Sequence, residues 1–213
     1  MTQNRCQMAV EGACDVRLKR HLFVFVLLIG LSLVVLLTST AMAQKTGLHA
    51  VNFFDFDYPS DCWKANPNSG FEKTIRVANG EWKRGSEGSE IYFHVEKPVF
   101  AEVVGGSGDD AVVTSSCGFT TGDDWDTEIF VFHMLAGKAV LIKRFSSPDW
   151  ADSSLGPMWR VANDGVRAKK GEVDVTYYAG GSHAQPQWLA TARFRWNGKR
   201  FVRFAVDRKP FTP

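Results

Sequence analysis

The sequence is short of surplus charge in the part that folds. Four of its 25 basic residues and two of its 23 acidic residues precede residue 44, so residues 44–213 carry 21 of each. A chain so balanced has no electrostatic footprint for nucleic acid, and no run of Lys or Arg supplies one locally. A sustained 3.6-residue apolar period is also missing after residue 43, which excludes a helical bundle. No period of 20–50 residues recurs, which leaves a full propeller without support. Cysteine is scarce: Cys6, Cys14, Cys62 and Cys117. Neither Cys62 nor Cys117 has a C-x-x-C partner, so a zinc site has no ligand set. The patterns HxH, HExxH, D-x-D-x-D-G and G-x-S-x-G are all absent. No metal and no cofactor is expected, and no motif fixes an activity.

One long apolar run is present. Residues 22–37 read LFVFVLLIGLSLVVLL, after Arg17, Lys19 and Arg20 and before Ala41-Met42-Ala43. A basic flank, an apolar stretch and a small-x-small site are the three parts of a secretory signal peptide, so residues 1–43 read as a leader cleaved after Ala43. The alternative is an uncleaved anchor, because residues 22–43 reach the roughly 20 residues that span a bilayer. Either way residues 44–213 are exported, to the periplasm or the outside, as a single domain. Only Cys62 and Cys117 then reach an oxidising compartment. Two such cysteines most often pair; two buried thiols or an intermolecular bridge are the alternatives.

The exported part is rich in short alternating runs. Aromatic residues make up 13% of the chain, and all seven tryptophans follow residue 62. Residues 51–58 (VNFFDFDY), 71–77, 91–95, 100–104, 111–114, 128–134, 138–144 and 172–178 read as strands. Asn79-Gly80, Leu135-Ala136-Gly137 and Asn163-Asp164-Gly165 read as turns. Residues 149–154 read as one helical turn. Residues 188–206 form a hairpin whose arms meet at Asn197-Gly198, read as a two-residue turn with both φ values positive. Its first arm sets Phe194 and Trp196 on one face and Arg193 and Arg195 on the other. The expectation is a mostly-β, single antiparallel domain, either a sandwich or a curved meander sheet.

Residues 98–132 organise this pattern. They read PVFAEVV-GGSGDD-AVVTSSCGF-TTGDDWD-TEIFVF, three apolar runs around two Gly/Asp loops. Over residues 99–132 the segment resembles exported bacterial domains of the FG-GAP and LppP/LprE types, where a strand leads into a Gly-Asp loop and ends near a cysteine. The resemblance implies an exported β domain and no reaction. The acidic positions that bind calcium in such loops are Gly105, Gly106, Ser107 and Gly108 here.

Candidate residues follow from the two loops. Asp109, Asp110 and Asp124 with Trp125 form the expected binding set, since an indole between carboxylates suits a sugar face or a cationic side chain. Turn chemistry explains the same aspartates without a ligand. Trp125 and Trp150, set among polar loop residues, are the tryptophans expected outside the core. The expected function is non-catalytic binding of a partner protein or an envelope component. An exported hydrolase with its site at the acidic loops is the alternative.

Overall fold

The computed structural model describes residues 47–61, 73–86, 90–106, 108–119 and 125–212. The leader, Cys62 and Asp124 lie outside the described residues. Among the described residues no helix is long and apolar enough to cross a membrane.

Alternating side chains and frequent turns make strands, and the described chain is mostly strand. In chain order these are β1 (Asp57–Pro59), β2 (Thr74–Arg76), β3 (Glu81–Arg84), β4 (Ile91–Val95), β5 (Val99–Ala101), β6 (Asp110–Phe119), β7 (Trp125–Leu135), β8 (Lys138–Phe145), β9 (Met158–Lys169), β10 (Glu172–Ala179), β11 (Trp188–Trp196) and β12 (Phe201–Pro210). One short helix, α1 (Ser147–Trp150), joins β8 to β9. The larger sheet runs β3-β4-β6-β7-β8; β5 pairs with the start of β6, beyond the end of β4. A four-stranded meander runs β12-β11-β10-β9, and β1 pairs with β2. Every pairing is antiparallel.

The two main sheets face each other. One core cluster joins Val112, Ile129, Val131 and Phe145 of the larger sheet to Val175, Tyr177, Ala192 and Phe194 of the meander. The other face of the larger sheet is also covered. There Val113, Cys117, Phe130 and Phe132 pack against Leu48, Phe53, Tyr58 and Ile75 of the N-terminal arm. This explains why β6 is buried at eight of its ten positions. A strand covered on both faces needs a nearly continuous apolar run.

The arm is fastened by one buried carboxylate. Glu128, 3% exposed, accepts from Ser60 Oγ at 2.8 Å and from the Asp61 amide at 2.9 Å. Arg144 Nε stands 3.7 Å away. Burial pushes the Glu128 carboxyl above its ordinary range, against the hydrogen bonds that lower it.

Four expectations are corrected. Residues 51–58 do not form one strand. Asn52 Oδ1 accepts the Phe54 amide, a side-chain turn, and the Tyr58 hydroxyl donates to the Phe53 carbonyl at 2.7 Å. Phe53 and Phe56 therefore enter the same aromatic cluster three residues apart, with ring centroids 5.3 Å from each other. The triplet Asn163-Asp164-Gly165 is no chain reversal but a bulge inside β9. Val166 pairs with Val175 and Val161 with Tyr177, five residues of β9 against two of β10. The β11–β12 hairpin exists, but Trp196 pairs with Phe201, so its loop has four residues. Asn197 Oδ1 accepts from the Lys199 and Arg200 amides, and of the Asn-Gly pair only Gly198 has positive φ, at 89°. Trp150 is fully buried, 0% exposed, at the end of α1. Arg203 caps that helix, its Nη1 donating to the carbonyls of Asp149, Trp150 and Ala151 at 3.4, 3.3 and 3.0 Å.

Other expectations match. Val173, Val175 and Tyr177 share the buried face of β10. Phe194 is 3% exposed, while Arg193 and Arg195 point away and pair with Asp207 and Glu172, each at 2.7 Å. These two arginines are thus neutralised.

Candidate functional site

The acidic residues expected to bind do not share one place. Ala111 pairs with Phe132 at one end of the β6–β7 ladder and Gly118 with Trp125 at the other. Seven residues of strand separate these pairs, roughly 23 Å. Asp109 and Asp110 therefore stand at the far end from Trp125. Asp124 and the Trp125 side chain lie outside the described part. Asp109 is half exposed and pairs with His49 Nε2 at 3.1 Å; the His49 ring stacks on Phe100 with centroids 4.0 Å apart.

Asp110 is different. Its side chain is 0% exposed. Oδ2 accepts the amides of Val103 and Val104, both at 2.6 Å, and Oδ1 meets His133 Nδ1 at 2.6 Å. The carboxylate gathers the chain leaving β5 and sets the orientation of an imidazole that is 28% exposed. All three contacts serve the loop itself, and the only outward-facing group is the imidazole.

A second place was not singled out from the sequence. A cavity of about 250 Å³ opens between the larger sheet and the β9 bulge. Its floor holds Thr114 and Ser116 of β6 and Thr127 of β7. Ser116 and Thr127 are direct cross-strand partners, and Thr114 lies two residues along the same face. Directly paired positions have Cβ atoms about 5 Å apart, so the three hydroxyls form one group. The wall is Val161, Ala162, Asn163, Gly165 and Val166; His183 and Glu96 stand at the rim.

The bulge exists because of its glycine. A Cβ on Gly165 would fall 2.6 Å from the carbonyl oxygens of Ala162 and Thr176. No other residue lets β9 fold out and rejoin β10 so closely. Asp164 takes φ +52°, which aspartate tolerates better than most.

The floor departs from normal core chemistry. Val112, on the same face of β6, belongs to the apolar core. Two residues on, Thr114 is 6% exposed, and Thr127 is 7% exposed. None of the hydroxyls of Thr114, Ser116 and Thr127 bonds to another protein group within the described residues. The three hydroxyls reach the open space of the cavity, where water or a polar ligand can bond them. His94, paired with Ser116 on β4 but not on the cavity lining, has a buried Nδ1 with no partner among the described residues. The sequence signal was the polar run Thr114-Ser115-Ser116 interrupting an apolar strand.

Among the described residues no group of three or more His, Cys, Asp or Glu could hold a metal ion. No family model, curated protein or solved structure matches the chain. What the cavity can do must be read from its own groups. It offers hydroxyl donors and acceptors on the floor, apolar surface from two valines, and three ionisable groups, Glu96 and His183 at the rim and Arg160 on the lining.

Proposed function

We propose that the chain is an exported β domain that binds, without chemistry, a small polar ligand or the polar end of an envelope component. The cavity under the β9 bulge is where it does so. The observation that carries this reading is the trio of hydroxyls of Thr114, Ser116 and Thr127, bonded to no other described protein group and facing one cavity. Export rests on the leader; mass spectrometry of the secreted protein should find Gln44 at the N-terminus, and intact residues 22–43 in membranes would replace it with the anchored form. Binding is tested by capture from an envelope extract on immobilised wild-type protein and Ser116→Leu. The plugged variant should lose a component that the wild type and Asp109→Ala retain, at an unchanged melting temperature. Equal retention by all three proteins contradicts the reading.

One observation favours hydrolysis instead. Asp110 orients His133 as the acidic member of a catalytic triad orients its base. A nucleophile must then bond the other imidazole nitrogen, and no described serine or cysteine does so. Ser107, on the adjacent loop, lies outside the described residues. Binding therefore ranks first. A hydrolytic activity in purified protein that His133→Ala abolishes would reverse that order.

A further inference from the structure

We infer that the group taken into this cavity is neutral and hydroxyl-bearing: a sugar ring or a polyol moiety. The inference rests on the binding reading above and adds the chemical class of the ligand. It follows from what each class would meet on the floor.

An apolar ligand would bury the hydroxyls of Thr114, Ser116 and Thr127 without partners, which is costly. An anion would find one cation on the lining and none among the floor groups. Arg160 lines the cavity, but its guanidinium lies over the Tyr178 ring, 5.4 Å from the centroid. His183 is exposed at the rim, where its ring meets Trp159 edge-on at 5.9 Å. Glu96, also exposed, adds negative charge at the mouth. A cation would have Glu96 alone, outside the buried part, and would lose its water for neutral hydroxyls. A hydroxylated ring fits both halves of the site. Each hydroxyl of the floor gives one hydrogen and accepts two, which is the capacity of a sugar hydroxyl. The C–H faces of a sugar ring suit Val161 and Val166 on the wall.

The test uses the exported protein as the cell processes it, labelled with ¹⁵N. Glucose, N-acetylglucosamine and inositol are the neutral probes; glutamate, phosphate and putrescine are the charged ones; hexanol is the apolar one. A neutral hydroxylated probe should shift the amides of Thr114, Ser116, Thr127, Ala162 and Gly165 saturably. Ser116→Ala, a half-buried position that folding tolerates, should weaken that binding about tenfold, as expected for one lost hydrogen bond. Thr127→Val should act in the same direction, while Asp109→Ala leaves it unchanged. Shifts caused only by a charged or apolar probe overturn the ligand class and leave the cavity as a binding site. No shift with any probe overturns both.

Discussion

Asp109 and Asp110 are neighbours that differ in almost every physical respect. Asp109 shares a solvent-exposed contact with His49, worth little in water. Asp110 is buried and holds two backbone amides and an imidazole. Asp110→Ala would leave the Val103 and Val104 amides unpaired, so urea unfolding should show a loss of about 2–4 kcal/mol. Asp109→Ala should stay within about 0.5 kcal/mol; equal effects would refute the distinction. The two share one Gly-Asp loop in the sequence, and nothing local separates them. Only the strand that follows, which begins at Asp110, does so. Glu128 gives a pH prediction. Its carboxyl is raised by burial, so the folded state holds that proton more tightly than the unfolded chain. The stability from this site is full in acid and falls as pH rises from the ordinary glutamate range through the raised value. Glu128→Gln keeps an acceptor for Ser60, and should flatten the fall of the unfolding free energy as pH rises above the ordinary glutamate range. An unchanged slope would show that Glu128 titrates normally.

At the scale of elements, the strands were legible wherever alternation met a pleated surface. The hairpin β7–β8, the face of β10 and the two faces of β11 follow from period two alone. Two turn signals misled for the same reason. Asn-Asp-Gly and Asn-Gly state that the backbone can take positive φ, and bulges and longer loops need that as much as tight turns do. Whether the chain reverses depends on which strand lies alongside. The two glycines involved make opposite predictions about cause. Gly165→Ala drives a Cβ into two carbonyl oxygens, so it should cost about 1–3 kcal/mol and shift the amides of the cavity wall. Gly198→Ala meets open space, and its cost of ~1–2 kcal/mol should come from positive φ alone. It should move no amide of the β9 bulge. The cavity escaped the sequence because its wall belongs to a bulge, and a bulge is defined by pairing over long range.

At the scale of the whole molecule, the larger sheet is a middle layer, with the meander on one face and the N-terminal arm on the other. That arm leads directly to the proposed disulfide. Asp61 is held by Glu128, which pairs across the strand with Ser115, two residues from Cys117. Cys117 is 2% exposed on the face the arm covers. Cys62 lies outside the described residues, but it follows Asp61 directly. A Cys62–Cys117 bridge closes a loop of about 56 residues, so Cys117→Ser should cost on the order of 4 kcal/mol in oxidising buffer. Two titratable thiols in the native protein would remove it. The central claim concerns the seam between the sheets, where an apolar core gives way to three unpartnered hydroxyls. The most direct test is a crystal structure of the protein purified from its native source and grown with cell-envelope extract present. The account predicts an organic molecule under the β9 bulge, hydrogen-bonded to at least two of Thr114, Ser116 and Thr127. A cavity closed over those residues, or filled by water alone, would contradict it.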